Sequence, residues 1–461
     1  MLIELLPLLM FFTLMALVFT SYPIGFVLGG VAILFGLIGS LAGVFSLGEF
    51  FLFASRIWFI ADNLQIIAVP LFVFMGVMLE RAEIAKDLLE TLQILLRRVP
   101  GGMAMAVTVM STVFAAITGI IGATVVVMTL IALPPMLKAG YRPELALGTI
   151  AASSTLGILI PPSILLVFLA EILPMSIGTL FAAALYPGLL LSALYLIYIG
   201  GYSLAMPAAV PPLKRTTTTM SATQIVGIII RGVLPPVALI GMVMGSILTG
   251  FVTITESASV GAAGALLLAA ARGKLTWNSL QESLHRSAMM IGMVFFLFIG
   301  ATCFSYVFRV LGGDDLILAL VDHSGVGSWG ILLIAIGLIF VMGFFFDVLE
   351  ILLVVVPVFA PLVAGLDFGD HLAQGDIVYW FAILVAITLQ TSFLTPPMGL
   401  ALFYIKGVAP TTISMNQIYR GIIPFVILQM LCVTLVMIWP QIAMWLPHCL
   451  LYTSPSPRDR G

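Results

Sequence analysis

Charge is the scarcest feature of this chain: Asp, Glu, Lys and Arg make up 8% of 461 residues, while 62% are hydrophobic. A soluble domain carries about a quarter charged residues, so this composition points to a polytopic, all-α membrane protein. The short polar–apolar alternation of a transmembrane barrel is also missing. The formal net charge is −2 and there is no basic stretch, so nothing here calls for nucleic acid. Cys303, Cys432 and Cys449 have no metal-ligand spacing, and the first two lie in apolar runs as packing residues do. His285, His323, His371 and His448 are scattered, which argues against a metal site. No Gly-x4-Gly-Lys-Ser/Thr loop is present, so no nucleotide is expected. No Ser-His, His-Glu or Cys-His constellation supports an enzyme. The first apolar segment, 2–20, begins with Glu4 rather than a basic region and lacks a small-residue cleavage site. It reads as a retained helix.

What the chain has in abundance is apolar runs, and two of them are broken by proline pairs. Gly157-Ile158-Leu159-Ile160-Pro161-Pro162-Ser163 lies inside the run 144–170, and Ser392-Phe393-Leu394-Thr395-Pro396-Pro397-Met398-Gly399 inside 379–405. A Pro pair removes two backbone donors and pushes the preceding residue out of helical geometry. In hydrocarbon the freed carbonyls need other partners, so such a break belongs against protein or a polar cavity. Plain proline kinks are the alternative for either pair alone. A flanking Gly, a hydroxyl and a second copy favour interrupted helices, the sequence mark of a transporter's midplane site.

Two other runs, 102–140 and 330–363, are too long for one crossing and short for two, and both carry prolines near their second half. Re-entrant hairpins fit that length. Arg81, Lys86, Arg97 and Arg98 precede the first and Lys138 and Arg142 follow it, so both its ends are cytoplasmic by the positive-inside rule. Asp314, Asp315 and Asp322 precede the second and Asp367, Asp370 and Asp376 follow it, so both its ends are outside. Apart from the extreme C-terminal tail, only Arg56 and Arg309 are basic residues toward the outer side, and both chain termini fall outside. A shift of 223 puts Pro134 on Pro357 and Thr124 on Asp347; a shift of 235 puts Pro161-Pro162 on Pro396-Pro397 and Phe168 on Phe403. Hairpin then broken helix, twice and in opposite orientation, is an inverted-topology repeat.

The expected organisation follows. Scaffold helices occupy 1–101, a first transport repeat 102–206, a linker 207–223 and further scaffold helices 224–310. A second transport repeat spans 311–412, a C-terminal scaffold helix 413–450, and 451–461 is a disordered tail or sequencing scar. The alternating charges of 80–98 read as the solvated face of a surface helix, and 272–286 as an interfacial helix.

The first hairpin contains Thr118-Gly119-Ile120-Ile121-Gly122-Ala123-Thr124, whose glycines allow a sharp turn and whose hydroxyls supply oxygens. Helix N-termini exposed at such a tip favour anions, and unwound carbonyls with hydroxyls suit a hard cation such as sodium. Small-residue helix packing is the alternative. Asp347 and Glu350 sit inside an apolar run, where a carboxylate is costly and marks function by default; pairing with Arg309 is the structural alternative. Glu256, beside Thr255 and Ser257, reads equally as a helix cap or a functional carboxylate.

Taken together, Pro100-Gly101-Gly102, Gly122-Ala123-Thr124, Pro135–Tyr141, Leu156–Ser163, Thr255-Glu256-Ser257, Phe346-Asp347 and Leu394–Gly399 resemble the large membrane (DctM-like) subunit of the tripartite ATP-independent periplasmic (TRAP) transporters. The resemblance covers 1–447. It implies an elevator-type secondary transporter of the bacterial inner membrane, coupled to Na+, with a small TRAP membrane subunit and a periplasmic substrate-binding protein as partners. Family substrates are mostly carboxylates and sulfonates. Many members carry a Gly-Ser-Ser-like run at the first hairpin tip; here Gly119–Thr124 departs from it, which leaves Thr118 and Thr124 as the hydroxyl candidates. The candidate substrate ligands are Thr118, Gly119, Gly122, Ser154, Ser163, Thr391, Ser392 and Thr395. The candidate sodium ligands are Thr124, Gly157, Pro161, Asp347, Thr395 and Gly399. The rivals are a stand-alone two-hairpin carrier that needs no binding protein, and a non-transporting assembly component.

Overall fold

The computed structural model describes residues 5–453 apart from 19, 21, 64–65, 119–120, 211–220, 317–318, 320–324, 345, 347 and 397–398. Over the described residues the chain is helical; six helices are long and apolar enough to cross a bilayer, and a bent pair makes a seventh. Hydrocarbon offers no hydrogen bonds, so each segment must satisfy its own backbone, and a helix does so locally.

The chain opens with α1 (Leu6–Val18), α2 (Ile24–Leu41), α3 (Phe51–Asp62), α4 (Ala68–Arg81) and α5 (Ile84–Leu96). A helix–turn–helix, α6 (Gly102–Thr118) and α7 (Ile121–Lys138), leads to α8 (Pro143–Ser154), α9 (Ile164–Ile172) and the long α10 (Ile177–Ala205). Next come α11 (Ala222–Gly232), α12 (Leu234–Leu248), α13 (Ile254–Ala271) and the 34-residue α14 (Trp277–Val310). The last part holds α15 (Ser328–Met342), α16 (Val348–Val354), α17 (Val356–Ala364), α18 (Ile377–Leu394), α19 (Leu400–Val408), α20 (Met415–Ile438) and α21 (Gln441–Thr453).

Several expectations are corrected. The scaffold segment 224–310 does not open on one straight crossing: α11 and α12 bend by 47° around Val233. Pro235 and Pro236 stand in the first turn of α12, where their missing N–H groups interrupt the hydrogen-bond ladder running in from α11. The segment 413–450, read as one helix, divides at Trp439-Pro440 between α20 and α21, where the residue before the proline leaves helical geometry, and α21 continues to Thr453. Residues 277–286 are no separate interfacial helix but the first turns of α14, begun by a Thr276–Ser279 capping box. Glu256 is a cap residue, though its partner is Thr253: the Glu256 N–H donates to Thr253 Oγ1 (3.3 Å) and Thr253 N–H to Glu256 Oε2 (2.7 Å). Most of the 207–223 linker and most of the 451–461 tail fall outside the described residues.

The charges of 80–98 are more than a solvated face. Arg286 pairs with Glu80 (2.9 Å), Arg81 with Glu282 (2.6 Å), Lys274 with Glu83 (2.9 Å) and Arg272 with Asp87. Lys274 holds the Glu83 carboxyl below its ordinary range. These pairs link the α4–α5 corner to the end of α13 and the start of α14, while α4 packs along both helices. Glu83 takes a left-handed backbone (φ 55°) at the corner, which lets α5 turn away at once.

Candidate functional site

Both proline-broken runs are interrupted helices. At the end of α8 the chain tightens into a single 3₁₀ turn, Thr155–Ile158, crosses Leu159–Ser163 without helical form, and resumes as α9. Every residue from Leu145 to Ala170 is buried, so the freed backbone groups face protein. Ser163 Oγ donates to Ile158 O (2.7 Å) and so takes up one loosened carbonyl. In the second run α18 ends at Leu394, Thr395 is extended, and α19 begins after Gly399. Gly399 N–H reaches back to Thr395 O (3.2 Å). A Cβ on Gly399 would lie 3.1 Å from the Phe393 and Thr395 carbonyl oxygens, a fit only glycine makes easily.

The two breaks are neighbours. α18 packs on the Thr155–Ile158 turn, and α6 and α7 pack on it too. Helix α15 comes close through glycine: its Gly343 cap abuts Ser392 so tightly that a Cβ added to the glycine would lie only 2.0 Å from Ser392 Cβ. Gly122, at the start of α7, faces the Tyr404 ring of α19 at 3.1 Å by the same measure. Thus Gly122, Ser154, Gly157, Pro161, Ser163, Thr391, Ser392, Thr395 and Gly399 sit on elements that pack together around the breaks. Thr124 is buried on α7. Thr118 ends α6, its side chain undescribed, while Gly119 and Asp347 lie outside the described residues. Arg309 lies 3.7 Å from Asp314 and donates weakly to Pro357 O (3.5 Å).

The hydroxyls share one chemistry. Ser154 Oγ donates to Ile150 O (2.7 Å), Thr391 Oγ1 to Ile387 O (3.2 Å), Ser392 Oγ to Thr388 O (3.2 Å) and Thr395 Oγ1 to Thr391 O (2.7 Å). Each proton is committed to a helical carbonyl, which leaves oxygen lone pairs to offer. In this arrangement the hydroxyls are acceptors suited to a cation, and must rotate to donate to an anion. Among the described residues no group of three or more His, Cys, Asp or Glu side chains can hold a metal ion.

Sequence reasoning passed over two buried amides. Gln390 is fully buried beside Thr391, without a protein partner for Nε2 or Oε1 among the described residues. Gln429 of α20 reaches Thr155 Oγ1 at 3.5 Å. The signal was present: an amide inside an apolar span is costly unless it serves something.

The sequence matches the family described as "Tripartite ATP-independent periplasmic transporter, DctM component" over residues 11–442. The chain belongs to this family. The DctM-type permease is 27% identical over 398 residues to the C4-dicarboxylate TRAP transporter large permease protein DctM of Pseudomonas aeruginosa, covering 86% of this chain and 89% of that one. It is 27% identical to the isethionate TRAP transporter permease protein DctMQ of Oleidesulfovibrio alaskensis, covering 91% of the permease and 64% of the larger relative. Its fold resembles that of the Alcanivorax borkumensis YdaH transporter, with TM-score 0.58 at 11% identity, over 83% of this chain and 85% of the other. The permease is therefore an ATP-independent, multi-pass membrane transport subunit and not an enzyme.

Proposed function

We propose that this permease takes up a small organic carboxylate or sulfonate across the bacterial inner membrane by sodium symport. It receives the anion from a periplasmic binding protein and works with a small membrane subunit. The observation that carries this is the pair of interrupted helices meeting at buried, oxygen-lined breaks. The names of the dicarboxylate and isethionate relatives support an anionic substrate, and the extra length of the DctMQ relative supports a small-subunit partner.

An inverted repeat with elevator motion is supported by exchanged packing. α7 packs on α19 while α16 packs on α9; α8 packs on α20 while α18 packs on α10; α6 flanks α8 as α15 flanks α18. The close contact of Gly148 with Gly421 favours α20 travelling with this core, although 413–450 reads as scaffold from sequence alone. The frame is then α2, α4, α13 and α14, held at one face by the ion pairs. Thr124, Gly157, Pro161, Asp347, Thr395 and Gly399 are the proposed sodium oxygens. Thr118, Gly119, Gly122, Ser154, Ser163, Thr391, Ser392 and Thr395 are the proposed substrate contacts.

The test is uptake of a C4-dicarboxylate and of isethionate into proteoliposomes with and without the cognate binding protein. Uptake should require both an inward sodium gradient and the binding protein. Asp347→Asn keeps shape and one oxygen but removes the charge that offsets the ion, so about 2 kcal/mol of ion binding, roughly thirtyfold in apparent sodium affinity, should be lost while assembly persists. Uptake driven equally well by protons in sodium-free buffer would sink the reading.

A further inference from the structure

Among the described residues, two basic side chains stand apart from the others. Arg81, Arg272, Lys274 and Arg286 belong to the ion-pair layer at the start of α14. From that layer α14 runs about 40 Å, at 1.5 Å per residue, to Arg309 at its far end. The far end is the outer side by the positive-inside rule, where basic residues are scarce. Arg56 of α3 reaches the same place. Both guanidinium groups line one crevice of ≈ 500 Å³, a volume typical of small-molecule sites.

Neither guanidinium is used up there. Arg56 lies 4.5 Å over the Tyr306 ring, a contact that leaves its in-plane N–H donors available. Among the described residues Arg309 has only the Asp314 carboxylate at 3.7 Å and the Pro357 carbonyl at 3.5 Å, both beyond good hydrogen-bond length. Glu171, the one carboxylate among the described residues that line the crevice, already accepts from Asn63 (2.7 Å). With Asp314 beside Arg309 and Glu49 accepting from Tyr306 (3.0 Å) at its margin, the crevice offers two guanidinium donors rather than a net positive charge. The walls also belong to different parts: Arg56, Tyr306 and Arg309 to α3 and α14, Glu171 to the outer end of α9, and Pro357 to α17.

We propose that this crevice is a transit site for the transported anion, which rests its carboxylate or sulfonate between Arg56 and Arg309 before reaching the breaks. The proposal rests on the organic-anion reading above. Two guanidinium groups with donors to spare, each offset by a nearby carboxylate, make entry favourable and exit easy, as a path into a carrier requires. The same chemistry would accept a lipid phosphate, so the bilayer composition is varied in the test.

The test uses Ser305→Cys, which lines the crevice, in a Cys449→Ser background; Cys303 and Cys432 are buried. From the outer side, a sulfonate-bearing methanethiosulfonate should modify it about tenfold faster than the trimethylammonium analogue. Arg56→Gln with Arg309→Gln should abolish that preference, while Arg56→Lys with Arg309→Lys keeps it. The Gln pair should also raise the half-saturating anion concentration roughly tenfold, with maximal rate and sodium dependence unchanged. Equal reaction of the two reagents, or an unchanged half-saturation in the Gln pair, overturns the transit site. A preference present in phosphatidylcholine vesicles but lost with phosphatidylglycerol assigns the crevice to a lipid headgroup, and also overturns it. If the reagent preference holds while no organic anion is transported, the functional reading fails and the anion site stands.

Discussion

Gly343→Ala should cut uptake by about a hundredfold while the protein still inserts, because overpacking of this kind costs up to about 3 kcal/mol. Gly343 caps α15 and donates its N–H to Ile339 O (3.0 Å). A methyl group here would lie 2.0 Å from Ser392 Cβ and 3.1 Å from Ser392 Cα. No rotamer change relieves a clash with those atoms, so the end of α15 must retreat from the broken helix α18. Ser392→Gly removes the nearest atoms, so the double variant should recover the thermal stability that Gly343→Ala loses in detergent, whatever the lost hydroxyl does to uptake. Gly337→Ala, on the same helix with nothing within 4 Å, serves as the control and should be silent. Sodium-driven uptake in proteoliposomes reads the two single glycine variants. Normal uptake by Gly343→Ala would mean that the α15 cap does not bear on the break.

The second large effect concerns folding. α8 and α20 cross with their backbones almost touching: a Cβ on Gly148 would lie 2.1 Å from Gly421 O, and one on Gly421 would lie 2.2 Å from Glu144 O. Small residues that let helices approach this closely are the usual glue inside a bilayer. The obstacle is carbonyl oxygen rather than a flexible side chain, so Gly148→Ala and Gly421→Ala should each cost about 2–3 kcal/mol. The double variant should cost clearly less than the sum, since one separation of the helices relieves both clashes. Thermal unfolding in detergent checks this, and simple additivity would refute a shared crossing.

Most of the fold was legible because a bilayer forces strict backbone accounting. The runs around Pro161-Pro162 and Pro396-Pro397 break at their proline pairs, whereas Pro134 and Pro135 stay inside α7, so a lost N–H weakens a helix without deciding alone where it unwinds. Pro235 and Pro236 carried the same signal in the run 224–250, and the bend at Val233 went unread. The partners of charged residues were not legible. Glu80 and Arg286 are far apart in sequence, and only the packing of α4 on α14 brings them together. The convergence of Arg56 and Arg309 on one crevice is hidden for the same reason. The site was half legible: hydroxyl-bearing positions could be named, but their committed protons depend on helix geometry that spacing alone does not give. Asp347, the sharpest charge in the sequence, lies outside the described residues.

The length of α14 carries a consequence for the lipid. Its apolar part, 288–310, spans about 34 Å, a little more than the roughly 30 Å of hydrocarbon in an ordinary bilayer. A helix longer than its membrane tilts, and its inner end is tethered here by Arg286 to Glu80. A tilt of about 20° would swing an end some 35 Å away by roughly 12 Å sideways. Arg309 rides on that end. The thickness of the surrounding bilayer thus becomes a control on the outer crevice, and lipid chain length a variable to which uptake should respond.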